Sequence, residues 1–371
     1  MFKRLLFFFL LHLPLFAWAQ LGKGISIESN FHIGQILKHT PKLNFDVDHL
    51  SYGFEFNLRN KKYGKKAWHQ ALNYPVPGVA IFYYRIGESA IFGDAIGIFP
   101  NIAFPVIRGK KVDLRFYMGA GIAYLSTHFD PIDNPTNNAV GSNVNNIAAI
   151  KWQMTYRFKP TLRFNTGFSF THFSNGASQL PNFGINILAY TVGFQYTPKP
   201  LVATDFIRHE TIPAFKRWGF DLRFDLGFRE NIVAGGPRYP VSIASLAGTY
   251  RTSLVNRLYL GLEYEFNKSV YVLGLHTFTL NSKSEARRRA SRLALFFADE
   301  LLFGNVGFYA QFSFYLPIDS WLLPFFMYTK AGLRYYFPPI GRPKTRFYAG
   351  IYLKSHKITA EHFSFGFGAT F

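Results

Sequence analysis

Trp218-Gly219-Phe220-Asp221-Leu222-Arg223-Phe224-Asp225-Leu226-Gly227-Phe228 is the most legible stretch of this chain. Every second residue is large and apolar, and the residues between are aspartate, arginine or glycine. A period of two is that of an extended strand, whose successive side chains point to opposite faces. Leu258, Leu260, Leu262, Tyr264 and Phe266 repeat the pattern, interleaved with Arg257, Tyr259, Gly261, Glu263 and Glu265. Val306, Phe308, Ala310, Phe312, Phe314 and Leu316 repeat it again. A soluble sandwich also alternates, with its apolar face inward. Here the small and charged face suits a crowded or wet lumen, and the bulky aromatic face suits lipid. In lipid every backbone polar group must be paired, which forces a sheet to close.

The composition fits that reading. Of 371 residues, 43 are Phe and 22 are Tyr, and aromatic residues make up 19%. No segment after the N-terminus approaches the roughly 18 consecutive apolar residues of a spanning helix. There is no cysteine, so an exported domain needs a large core or a membrane in place of disulfides. At the start, Lys3 and Arg4 precede an apolar run from Leu5 to Phe16, followed by Ala17-Trp18-Ala19. This is the pattern of a signal peptide over residues 1–19, cut before Gln20, with an N-terminal membrane anchor as the alternative. Its removal lowers the formal charge from +20 to +18 by taking away Lys3 and Arg4. No nucleic-acid motif accompanies this basic charge; in a bacterial outer membrane the anionic partner is lipopolysaccharide phosphate. Near the end, Phe363, Phe365, Phe367, Ala369 and Phe371 share one strand face. A final amphipathic strand ending in phenylalanine resembles the signature that outer-membrane barrel insertion machinery reads.

The expectation is therefore an all-β, transmembrane antiparallel outer-membrane β-barrel of about fourteen to sixteen strands. The strands fall into two series, one beginning near Gly24 and one near Trp218. Residues 197–217 separate them as a non-strand connection with Pro198, Pro200 and Pro213. Residues 20–200 and 201–371 are the corresponding regions. The series echo one another faintly: Gly119-Ala120-Gly121-Ile122 parallels Lys330-Ala331-Gly332-Leu333. One barrel completed by the second series is favoured, with two tandem eight-stranded barrels as the alternative. Residues 282–292 are polar and basic and suit a short helix in a loop.

One cluster can carry chemistry. In the strand containing Leu162, Phe164, Thr166, Phe168 and Phe170 on its lipid face, the same face continues into His172 and Ser174. Two residues apart on a strand, side chains point the same way about 7 Å apart. The next strand puts Asn186 in register with Leu188, Tyr190, Val192, Phe194 and Tyr196. With the turn centred near Leu180, Asn186 lies opposite Ser174 and Leu188 opposite His172. Polar groups on a lipid face are costly. A nucleophile beside its base is one reason for them, because serine needs an adjacent base; a polar cluster where the strand leaves the hydrocarbon is the other.

His172-Phe173-Ser174-Asn175-Gly176, followed by Pro181-Asn182-Phe183-Gly184-Ile185-Asn186, resembles the motif of the outer-membrane lipid A 3-O-deacylases. In that family an eight-stranded barrel carries a histidine and a serine on its lipid face, with a glutamate completing the triad. The resemblance covers about residues 24–196 and implies His172 as general base, Ser174 as nucleophile and Asn182 as a donor to the oxyanion. It implies lipid A as substrate, cleaved at an ester-linked acyl chain. The chain departs from the family at Asn186, which stands where the glutamate is expected. The second half is not explained by the resemblance. The competing expectation is a catalytically silent barrel, a pore or structural protein, with an open lumen lined by residues such as Arg223 and Glu263.

Other features carry less. The Asn-rich loop 130–146 lacks the carboxylate spacing of a calcium site. Lys61, Lys62, Lys65 and Lys66 sit beside Trp68 and suit contact with lipid phosphates. His356 and His362 have no nucleophile on their own face and are read as structural. With no phosphate loop, dinucleotide fingerprint or zinc spacing, neither cofactor nor metal is expected.

Overall fold

The computed structural model describes residues 22–211, 213–230, 234–316, 325–338, 345–357 and 359–371. The expected signal peptide, residues 1–19, lies outside the described residues.

The first series forms β1 (Ile25–Ile36), β2 (Ser51–Asn60), β3 (Val76–Arg85), β4 (Asp94–Arg108), β5 (Val112–Leu125), β6 (Val144–Arg157), β7 (Leu162–Ser174) and β8 (Ile185–Tyr196). The second forms β9 (Trp218–Glu230), β10 (Arg238–Ser253), β11 (Asn256–Asn267), β12 (Ser291–Phe303), β13 (Val306–Tyr315), β14 (Met327–Tyr336), β15 (Arg346–His356) and β16 (Thr359–Thr370). All neighbours are antiparallel, and each series closes on itself, β1 against β8 and β9 against β16. The molecule is thus two eight-stranded barrels in tandem, not the single barrel favoured from the sequence. The reason is closure: Ile27 to Ile36 of β1 takes its second partner from β8, which leaves no edge of the first sheet open to the second series. The expected loop helix is also present, Lys283–Ala290 beside Lys268–His276.

The facing of the side chains is that of a membrane barrel. On β9, Phe220 is 65% exposed while Arg223 is fully buried. Large apolar residues line the outside of both barrels, among them Ile81, Trp152, Phe168, Phe224, Leu260 and Phe365. Such an exterior is unstable against water and stable against hydrocarbon, so both barrels are outer-membrane barrels.

The lumens are filled, as eight strands leave room for little beyond side chains. In the first, Arg59 pairs with Glu28 at 2.7 Å and Lys151 with Glu55 at 2.9 Å. In the second, Glu263 accepts from Arg223 at 2.6 Å, Lys330 at 2.7 Å and the Tyr328 hydroxyl at 2.7 Å. The Arg334 guanidinium lies 3.9 Å from the centre of the Tyr309 ring. Ionic groups taken from water are tolerable only when paired in this way.

The barrels stand side by side and the same way up. At one end, Leu180 and Gln179 in the β7–β8 loop meet Glu230 and Arg238 of the second barrel. At the other end, Phe104 packs on Phe303 with ring centroids 5.6 Å apart. Most of the longer connections gather at the first end, residues 37–50, 126–143, 175–184 and 268–290, with residues 61–75 the exception at the other. Short turns such as 109–111, 158–161, 254–255 and 304–305 gather at the second. Outer-membrane barrels keep long loops outside and short turns toward the periplasm, so the first end is the outer one.

Candidate active site at the outer end of the first barrel

β7 and β8 pair with His172 directly opposite Asn186 and Phe170 opposite Leu188. The sequence reading placed Asn186 opposite Ser174. The turn is centred one residue earlier than expected, which slides the pairing by two residues. A slide of two keeps every side chain on its face, so His172 and Asn186 still share the lipid side with Phe168 and Leu188.

The His172 ring is held tightly. Its Nδ1 lies 2.6 Å from Asn186 Oδ1. Asn186 Nδ2 in turn lies 2.8 Å from Nδ1 of His39. An amide oxygen only accepts and an amide nitrogen only donates. His172 therefore carries its proton on Nδ1, and His39 presents a bare Nδ1. This leaves His172 Nε2 as a lone-pair site, the form a general base requires. Below the ring lies Gly184, with φ of +81°; a Cβ there would stand 2.6 Å from His172 Cε1. Glycine at this position is what gives the imidazole its room.

Ser174 ends β7 and is 3% exposed. No hydrogen bond joins its hydroxyl to His172, so the structure brings His172, Asn186 and His39 together but leaves the serine one step apart. Gly176 and Ala177, both with positive φ (63° and 58°), turn the chain. Asn182 Oδ1 accepts from the Asn175 amide at 2.8 Å, and its Nδ2 has no hydrogen-bond partner among the described residues. Asn175 Nδ2 reaches the Gln179 carbonyl at 2.9 Å and Ser142 Oγ at 3.0 Å. The Asn-rich loop packs over this turn, with Gly184 N donating to the Ala139 carbonyl at 2.7 Å.

His39 was missed by sequence reasoning. It follows β1 in a loop of no marked pattern, and only closure of β1 on β8 brings it near, through the Leu37 amide donating to the Asn186 carbonyl at 2.8 Å. The four lysines 61, 62, 65 and 66 lie at the periplasmic end, since β2 and β7 finish at opposite ends of the barrel. They are not beside this site, and they do not face lipid in the outer leaflet. Burial, with Arg115, Arg163 and Arg108 adding to it, pushes Lys61 down to about 7. A serine–histidine contact does occur elsewhere, Ser169 Oγ to His32 Nδ1 at 3.1 Å, but it is buried in the lumen with the Tyr84 hydroxyl and belongs to the packed interior. His356 and His362 lie at the outer end of the second barrel, where His356 Nδ1 is 3.4 Å from Glu361.

Comparison with known proteins agrees with the two-barrel division. The family model for lipid A 3-O-deacylase (PagL) matches residues 52–195, and the model for the acyloxyacyl hydrolase C-terminal domain matches residues 218–371. No curated protein matches the chain. Among solved structures, the outer membrane enzyme PagL is similar at 16% identity, covering 46% of this chain and 98% of that one, with a TM-score of 0.31. Neisserial surface protein A is similar at 8% identity, covering 47% of this chain and 97% of that one, with a TM-score of 0.34. The two family models between them take in both barrels, the first as a lipid A 3-O-deacylase (PagL) domain and the second as an acyloxyacyl hydrolase C-terminal domain.

Proposed function

We propose that the chain is a serine esterase that removes an ester-linked acyl chain from lipid A in the outer leaflet. The observation that carries the reading is the 2.6 Å contact between His172 Nδ1 and Asn186 Oδ1 on the lipid-facing wall at the outer end. His172 Nε2 takes the proton of the Ser174 hydroxyl as Oγ attacks the ester carbonyl. The negative oxygen that forms is met by Asn182 Nδ2. His172 then returns the proton to the departing sugar oxygen, and water releases the fatty acid from Ser174 by the same steps in reverse. A neutral Asn186 orients the ring but supplies no countercharge for the imidazolium, as the asparagine of Cys-His-Asn proteases does. Ser174 is buried, so the scissile ester reaches it only when neighbouring residues give way.

The silent-pore alternative expects an open path past Arg223 and Glu263. These two are joined at 2.6 Å and buried, which favours the esterase. The test is mass spectrometry of lipid A from cells with and without the protein. Loss of one hydroxyacyl chain is expected with wild type, and none with Ser174→Ala or His172→Ala at equal barrel abundance. Nucleophile and base act as a unit, so the two losses should be similar. Unmodified lipid A from cells rich in folded wild type would overturn the proposal.

A further inference from the structure

We propose that the second barrel is the buttress of the catalytic loop, and that Glu230, Arg238 and Phe363 are positioning residues for a site on the other barrel. This rests on the esterase reading for its catalytic consequence, though the contact itself does not.

Glu230 and Arg238 are directly opposite one another at the outer ends of β9 and β10. Both reach out of their own barrel to adjacent residues of the β7–β8 loop. The buried Glu230 carboxylate accepts the Leu180 amide, and Arg238 Nη2 donates to Gln179 Oε1 at 2.9 Å. A carboxylate on a backbone N–H is a charge-assisted bond, and without it that amide has no protein partner. The loop is pressed close as well: a Cβ on Gly176 would fall 2.0 Å from the Phe363 ring on β16. Gln179 and Leu180 are one bond from the rest of the site. The Gln179 carbonyl holds Asn175 Nδ2, and the Asn175 amide holds Asn182 Oδ1. The path therefore runs from Glu230 and Arg238, through Gln179 and Asn175, to the asparagine that meets the oxyanion.

The loop is thereby held by the second barrel as well as by its own Asn-rich neighbour, and the second half of the chain gains a role that needs no chemistry of its own. Oxyanion donors act through prior placement, so loosening Asn182 should lower kcat more than it raises KM.

Two measurements on the full chain test this. The chain has no native cysteine, so Gln179→Cys with Arg238→Cys should be joined by a short bismaleimide in intact outer membranes. Failure to cross-link in protein that still runs as a folded barrel would overturn the proposal. Glu230→Ala with Phe363→Ala should leave both barrels heat-modifiable, expose residues 175–184 to protease, and reduce kcat about 10-fold or more with little change in KM. Glu230→Gln, which keeps an acceptor for the Leu180 amide, should restore most of the loss. Full kcat and unchanged protection in the double alanine variant would overturn the buttress. If wild type releases no fatty acid, the esterase reading fails by itself, and the cross-link and the protease pattern still decide whether the loop is held.

Discussion

An amide has a direction and a carboxylate does not, and this difference is the chemistry of Asn186. Reversed, Asn186 would offer Nδ2 to His172 Nδ1 and force the ring proton onto Nε2, removing the base. His39 prevents the reversal by accepting from Nδ2 at 2.8 Å. His39→Ala should therefore slow fatty-acid release about 10-fold, corresponding to roughly 1.4 kcal/mol of transition-state stabilisation. Asn186→Glu should keep or raise the rate, because a carboxylate accepts from His172 with either oxygen and offsets the imidazolium charge. In the double variant His39→Ala with Asn186→Glu, the His39 change should cost almost nothing. Equal loss in both backgrounds, read as a double-mutant cycle, would deny His39 this orienting role. Gly184→Ala should be harsher than its size suggests, since the added methyl meets His172 Cε1 and the backbone has φ of +81°. Near-complete loss of release with the barrel intact is expected, and normal activity would show that the imidazole has another place to sit. Much of this site was legible in the sequence, because parity alone puts His172, Ser174 and Asn186 on one face. Who stands opposite whom was not legible, because the pairing depends on where a ten-residue turn bends, and Gly176 and Ala177 bend it early.

At the scale of the strand, the alternation that was readable in Trp218–Phe228 has opposite consequences for adjacent residues. Phe224 is 60% exposed on the outer face. Phe224→Arg places a charge in hydrocarbon and should cost about 2–4 kcal/mol, measured as a lower urea midpoint in lipid vesicles. The neighbouring Arg223 costs nothing comparable because Asp225 and Glu263 surround it, at 2.9 and 2.6 Å. Removing the shared acceptor should be as damaging as the lipid-face arginine. Glu263→Ala leaves Arg223 and Lys330 short of a partner in a dry lumen, at about 3–5 kcal/mol. An unfolding midpoint equal to wild type would mean that water reaches the lumen. Alternation reveals which face each residue takes but not which strand it meets. That is why the strand inventory could be read from the chain while the choice between one barrel and two could not. The deciding contact, β1 on β8, joins residues far apart along the chain and is written in no local pattern.

For the molecule as a whole, the two ends have different chemistry. The outer end carries the site, the Asn-rich loop and the basic helix Lys283–Ala290. The periplasmic end carries Lys61, Lys62, Lys65 and Lys66. Single cysteines introduced at Ser284 and at Lys65 should report this directly. A membrane-impermeant maleimide should label the first in intact cells and the second only after the outer membrane is opened. Labelling of Lys65→Cys in intact cells would invert the orientation and remove the site from the outer leaflet. Expectations about lipid phosphate also divide by end: replacing the four lysines with glutamine should leave lipid A cleavage unchanged, since they lie a membrane thickness away.

Each barrel has an even number of strands, so the chain enters and leaves each one on the same side. The joining segment, residues 197–217, therefore never has to thread the bilayer, and Ile207 and His209 dock it along the first barrel's periplasmic loop, with the Ile207 amide donating to the Tyr63 carbonyl at 2.8 Å. In engineering terms the halves are cassettes with matched connectors. Cutting the polypeptide between them breaks no ladder, and lateral contact at Glu230, Arg238 and Phe303 holds the halves in register beside the tether. A lineage can thus lengthen, shorten or sever that tether, or exchange one cassette for another, while the geometry at His172 is kept by whatever neighbour grips the same loop.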